Sequence, residues 1–188
     1  QERNWGNSAN MDSHGIEFTL NTTNVDTGDF AWNSNLTFSW NENKITKLDA
    51  IPTVGTLTRQ GGAPREGYPV RSLFSLPFRG LDDTGMPTFW LGEKDEDGKE
   101  IVGYKGINFQ NNQDLDYLKY EGSIDPTIVG GFDNTFRYKD FGLSFYFTYQ
   151  AGSVIRLPDD FSTWYSDQST MPREMLNRWQ VPGDEKTT

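Results

Sequence analysis

The stretch FAWNSNLTFSWNENK, residues 30–44, most constrains what this chain can fold into. Phe30, Trp32, Leu36, Phe38 and Trp40 share one parity, and Ala31, Asn33, Asn35, Thr37 and Ser39 share the other. Successive side chains of an extended strand point to opposite faces, so this spacing predicts a strand with an aromatic face and a face of small polar groups. The same alternation recurs three times. GIEFTLNTTNV (15–25) sets Ile16, Phe18 and Leu20 against Glu17, Thr19 and Asn21. TIVGGFDNTFRY (127–138) sets Ile128, Phe132, Phe136 and Tyr138 against Asp133, Thr135 and Arg137. FGLSFYFTYQAG (141–152) sets Phe141, Leu143, Phe145, Phe147 and Tyr149 against Gly142, Ser144, Tyr146, Thr148 and Gln150.

The four strands come as two long hairpins, residues 15–44 and 127–156. DTGD (26–29) supplies the first turn, with Gly28 free to take a positive φ, and Lys139–Asp140 the second. Between the hairpins, residues 48–123 are rich in Gly, Pro and charge. A loop that long is foreign to a compact domain. Tight turns at one end and long excursions at the other are the loop pattern of outer-membrane barrels, whose strands need only about 9–11 residues to cross. The fold class expected is therefore all-β, antiparallel strands of a transmembrane β-barrel. The organisation expected is a hairpin over 15–48, an extracellular loop over 49–124, a hairpin over 125–156 and a second extracellular loop over 157–188. Within the first loop VRSLFSLPF (70–78) reads as an edge strand limited by Pro77, and GLDDTGMP and EKDEDGKE read as turns. Within the second, TMPREMLNRWQ reads as a short helix near 171–179, with Thr170 as cap, Pro172 at its start and Gly183 beyond its end.

Composition removes several function classes. The net charge is -10, with 27 acidic against 17 basic residues, which opposes a nucleic-acid partner. With no cysteine there is neither a disulfide framework nor a thiolate metal site. Only 34% of the chain is hydrophobic but 14% is aromatic, and no run approaches the roughly 18 apolar residues of a membrane helix.

Catalytic and metal chemistry find little support, and no cofactor is expected. Asp95, Asp97 and Gly98 resemble part of a calcium loop, but the remaining oxygen ligands and the closing Glu are missing, so a solvated acidic turn is the better reading. Asp82–Asp83 and Asp159–Asp160 are adjacent acids in turn sequences rather than a spaced glycosidase pair. His14 is the only histidine, and no triad or metal cluster can be built around it. Trp90, Tyr104, Trp164 and Tyr165 lie in the long loops, where they either contact a substrate or partner or pack the loops together.

Taken together, NWGNSANMDSHGIEFTLNTTNV, FAWNSNLTFSWNENKITKL, REGYPVRSLFSLPFRGLDDTGMPTF, GSIDPTIVGGFDNTFRYKDFGLSFYFTYQAGS and MLNRWQVPGDE resemble consecutive blocks of the SusC/RagA family of TonB-linked outer-membrane transporters, in the C-terminal part of the barrel. The resemblance implies a fragment of a 22-stranded barrel that surrounds a plug domain, the plug and the TonB box being absent from this chain. It implies import of glycan oligosaccharides or peptides, driven by the TonB complex through parts outside this chain, with a SusD-like surface lipoprotein over the extracellular mouth. It implies no enzyme activity. On that reading Phe30 and Trp32 meet the periplasmic interface, Leu36 and Phe38 the outer-membrane lipid and Trp40 the outer interface, with Asn33, Asn35, Thr37 and Ser39 facing the lumen, and Tyr138 and Phe141 form part of an aromatic girdle. The alternative from a different class is a soluble all-β glycan-binding module whose loop aromatics stack on sugars. An isolated piece of this kind is expected to leave two unpaired sheet edges.

Overall fold

The structure, a computed structural model, describes residues 8–104, 107–157, 164, 166 and 168–186. Its strands are β1 (Ala9–Asp26), β2 (Phe30–Leu48), β3 (Ser72–Ser75), β4 (Phe78–Leu81), β5 (Pro87–Lys94), β6 (Glu100–Gly103), β7 (Lys119–Ser123), β8 (Ile128–Tyr138) and β9 (Phe141–Ala151). One helical turn, α1 (Val54–Leu57), precedes β3.

The four long strands form one antiparallel sheet in the order β1-β2-β8-β9. β2 pairs directly with β8, from Phe30 opposite Tyr138 to Trp40 opposite Ile128, so the whole excursion between them leaves and returns at one end. Both tight turns lie together at the other end, where the Lys139 amide donates to the Asp29 carbonyl at 2.7 Å. Gly28 sits at φ 82°, and Asp26 Oδ1 accepts its amide, which closes the first turn. β1 and β9 are the outer strands, and the sheet is not closed into a barrel.

The register brings the aromatic parities onto one face. Its rows run Ile16, Trp40, Ile128; Phe18, Phe38, Gly130, Tyr149; Leu20, Leu36, Phe132, Phe147; and Val25, Trp32, Phe136, Leu143. A bulge between Thr23 and Val25 restores this parity at the turn end, where a strict alternation from Leu20 would have turned Val25 to the polar side. Rings stack across strands, Phe18 on Phe38 and Trp32 on Phe136, and the face is largely open, with Phe141 79% exposed.

The excursion is built rather than structureless. Val54, Leu57, Ala63, Phe74, Leu115 and Leu118 form a small buried core. Thr53 caps α1 and exchanges bonds with Thr56 in a capping box. β3 pairs with β7, and Pro77, which has no amide to donate, separates β3 from β4, so the 70–78 strand is split in two. β4, β5 and β6 form a second small sheet, whose turns are the two acidic stretches: Asp82 Oδ1 accepts from Thr84 and Met86, and Asp95 Oδ1 from Asp97 and Lys99. Both carboxylates thereby organise their own turns, as the solvated-turn reading requires. The lobe is sewn to the sheet through Ile45, which exchanges backbone bonds of 2.9 Å with Gly67 and Tyr68, and through Asn43 Oδ1, which accepts the Val70 amide at 2.9 Å.

The short helix expected near 171–179 is a 3-10 helix of five residues, Arg173–Asn177. Thr170 does not cap it: Pro172 precedes the turn with extended ψ of 148° and no side-chain cap is made. None of its residues is buried, so there is no packing to extend a helix that short.

Candidate functional site

The candidate site is the wall itself, two faces with different chemistry, together with the lobe at its open end. The polar face carries rows of Glu17, Ser39, Val129, Gln150; Thr19, Thr37, Gly131, Thr148; Asn21, Asn35, Asp133, Tyr146; and Thr23, Asn33, Thr135, Ser144. It is a surface of hydroxyls and carboxamides with two carboxylates. Asn35 Nδ2 donates to Asn21 Oδ1, and Thr135 and Ser144 share a bond of 3.2 Å. Arg137 belongs to the same parity but lies at the turn end, where it donates to the Gly28 carbonyl.

Gly130 and Gly131 divide the two faces. A Cβ on Gly130 would fall 2.3 Å from the Tyr149 hydroxyl, and one on Gly131 2.5 Å from that of Tyr146. Each glycine therefore seats one tyrosine of β9, Tyr149 on the aromatic face and Tyr146 on the polar face, because neither has a side chain to hold the ring away.

One polar row interrupts the aromatic face. Asn134 is 2% exposed beneath the rings, and its Oδ1 accepts from Trp32 Nε1 at 2.9 Å and from Ser34 Oγ at 2.7 Å, while Asn24 Nδ2 donates to Ser34 at 2.7 Å. The indole is an obligate donor, which assigns the oxygen of the carboxamide to that side. Asn134 Nδ2 has no partner among the described residues. The parity pattern hides this cluster, since Ser34 and Asn134 look like lapses in an apolar series.

In the lobe, Arg65 donates to the Leu115 carbonyl and to Asp116 and lies 5.3 Å from the ring centres of both Tyr68 and Phe74. Of the loop aromatics singled out from sequence, Trp90 is half-buried, meets Tyr117 edge-on at 6.2 Å and donates to the Glu93 carbonyl. Tyr104 is half-buried and Trp164 is 87% exposed, and Tyr165 lies outside the described residues, as do Asp159 and Asp160. Sequence reasoning passed over Trp179, whose indole packs on Gly85 and so joins the C-terminal segment to the β4–β5 turn. His14 meets Trp40 edge-on at 5.4 Å and stands 3.9 Å from Glu42. Among the described residues no cluster of three or more His, Asp or Glu is arranged to hold a metal ion.

Charge pairs give the lobe a pH dependence of known sign. Arg79 on β4 and Glu100 on β6 form a two-bond pair of 2.6 and 3.0 Å across β5, and this hydrogen bonding holds the Glu100 carboxyl below its ordinary value of 4.5. Ser75 and then Lys119 do the same for Glu121. A carboxylate whose folded pKa is depressed stabilises the fold at neutral pH and loses that contribution as pH falls through the folded value. The protection of Pro87–Lys94 against hydrogen exchange, corrected for the intrinsic pH dependence of amide exchange, is therefore expected to be unaffected by Glu100 above pH 4.5 and to fall below it. A loss of protection already at about pH 6 would show that other groups control the lobe.

An open antiparallel sheet with one aromatic face, one hydroxyl and carboxamide face, paired tight turns at one end and a folded excursion at the other is a length of transmembrane β-barrel wall. No family model matches the chain. The chain is 30% identical over 189 residues to TonB-dependent receptor P26 of Formosa agariphila, covering 92% of this chain and 18% of that protein. It is 38% identical over 151 residues to TonB-dependent receptor SusC of Bacteroides thetaiotaomicron, covering 74% and 14%. Its fold matches a chain of the RagAB peptide importer in the closed-closed state with a TM-score of 0.56, at 26% identity, over 78% of this chain and 16% of that one. In sequence and in fold the chain is a SusC/RagA-type segment of a TonB-dependent receptor. It spans a fifth or less of the length of the curated relatives it matches, 18% for TonB-dependent receptor P26.

Proposed function

We propose that this chain supplies barrel wall and extracellular loops to a TonB-dependent importer in the bacterial outer membrane, one that takes up glycan oligosaccharides and works with a SusD-like surface lipoprotein. The observation that carries this reading is the direct β2–β8 pairing, which places both tight turns at one end of the wall and the folded 49–127 excursion at the other. On this reading the turns are periplasmic and the excursion is extracellular, as in outer-membrane barrels generally. The aromatic face meets lipid, which is why its rings stay open in the isolated wall, and Tyr138 and Phe141, paired beside the turn, sit at the inner interface. A soluble module would bury such a face against a second sheet, and none of the described strands covers it.

The polar face suits glycan cargo. Its hydroxyls and carboxamides both donate and accept, as the hydroxyls of a sugar do. The lobe and the second loop, with Trp90, Tyr104, Trp164 and Tyr165, would form the mouth that meets cargo and lipoprotein. Energy for transport would come from the TonB complex through other parts of the receptor, while the wall serves as a rigid frame. A strain with the receptor gene deleted is expected to lose uptake of labelled neutral oligosaccharides and to regain it with the intact gene. Loss of labelled peptide uptake with sugar uptake intact would replace glycan by peptide as the cargo.

A further inference from the structure

Tyr146 is the one aromatic ring on the polar face of the four-stranded sheet among the described residues. It is 63% exposed, yet the ring cannot stand away freely, because it lies over Gly131, with its hydroxyl, Cζ and Cε2 within 2.5 to 3.0 Å of where a Cβ would be. The hydroxyl end and one edge of the ring lie against β8 at Gly131, and most of the side chain is open. Directly across the β8–β9 pair is Asp133, across β2–β8 from it Asn35, and then Asn21, which already accepts from Asn35 Nδ2. Grooves flank this row on both sides, one past Thr148, Thr37 and Glu17 and one past Thr135 and Asn33. In the rows from Glu17 to Thr23 the face has two carboxylates, Glu17 and Asp133, and no cation.

We propose that Tyr146, Asp133 and Asn35 form a subsite for one neutral pyranose unit of an oligosaccharide, a proposal that rests on the glycan reading above. The flat C–H face of a pyranose packs on an aromatic ring, and its equatorial hydroxyls extend sideways to acceptors and donors in the plane of the sheet. Asp133 accepts from two hydroxyls, and the free carboxamide groups of Asn35 and Asn21 extend the rim. The carboxylates select against uronate or sulfated sugars, because like charges brought together without a compensating cation are repelled. Tyr146 thus has a role beyond shielding the glycine of a strand pair, a role that aromatic rings also play in sheets. A purely shielding ring affects strand pairing alone; the subsite also affects sugar affinity.

The test uses the full-length receptor purified in detergent, titrated calorimetrically with maltohexaose, cellohexaose, mannohexaose and xylohexaose, with hexagalacturonate as the anionic probe. Heat-modifiable gel mobility controls for folded barrel. At least one neutral hexaose is expected to bind, with Tyr146→Ala weakening it about tenfold or more and Tyr146→Phe staying within about threefold. Gly131→Ala, which lifts the ring without removing it, is expected to weaken binding by a similar factor, and hexagalacturonate to bind at least about tenfold more weakly than the neutral sugar. Unchanged hexaose affinity in both Tyr146→Ala and Gly131→Ala overturns the subsite while leaving the glycan reading in place. Binding of none of the four hexaoses by the intact receptor overturns both.

Discussion

Leu36→Arg, in the receptor folded into lipid vesicles, is expected to lower unfolding free energy by about 2–4 kcal/mol, the cost of a cation on the lipid face near the middle of a membrane barrel. Leu36 stands in the row Leu20, Leu36, Phe132, Phe147, the central row of the aromatic face. The neighbouring Thr37 points the other way, and its weak bond to the Gly131 carbonyl, 3.4 Å, is all that substitution removes. Thr37→Arg is therefore expected to cost under about 1 kcal/mol, since a charge on a wet face keeps its hydration. One residue of sequence separates the two changes, and only the side of the sheet differs. Urea titration of both variants decides the matter: equal losses, or a larger loss for Thr37→Arg, would mean that the aromatic face is not the lipid face.

Asn134→Leu sets two effects against each other. Removing the carboxamide relieves a buried Nδ2 with no partner among the described residues, but it strands the Trp32 indole N–H and the Ser34 hydroxyl, which share its oxygen. Each stranded donor costs about 1–3 kcal/mol where water is excluded, against one orphan group already tolerated. Hydrogen bonds within membrane proteins average lower, about 0.6 kcal/mol with a ceiling near 1.7, because side chains find other partners. The net loss expected is about 1–3 kcal/mol. Trp32 and Ser34 come from β2 and Asn134 from β8, so the loss falls on the seam that joins the two hairpins across the excursion. A double-mutant cycle with Ser34→Ala is expected to show coupling of about 0.5–1.5 kcal/mol. A more stable Asn134→Leu receptor with no coupling would reduce the polar row to an accident of packing.

The two hairpins were legible because alternation is a local property: Leu36, Phe38 and Trp40 declare their shared face by spacing alone, and Gly28 marks its turn. The small sheets in the excursion were half legible. Asp82 and Asp95 identified turns, but the pairing of β3 with β7 joins residues more than forty apart in sequence, and neither carries the hydrophobic period of a long strand. Site residues fared worst. Trp179 gave no local signal, because the Gly85 beneath its indole lies far away in the chain, and the alternation put Tyr146 on the polar face without revealing the Gly131 beneath it.

The sequence by itself determined that the strands are one-sided and where the tight turns fall, since each of these depends on residues a few positions apart; it did not set their length, for β1 begins at Ala9 rather than at residue 15. It also made the resemblance to SusC/RagA transporters recognisable through blocks in order. Only the tertiary structure decided that β2 lies beside β8, that a bulge keeps Val25 on the aromatic face, that Asn134 gathers Trp32 and Ser34, and that Tyr146 rests on Gly131 beside Asp133. Those facts depend on register between strands far apart in the chain. A register shifted by one residue would exchange the two faces of a strand while leaving every local pattern as it is.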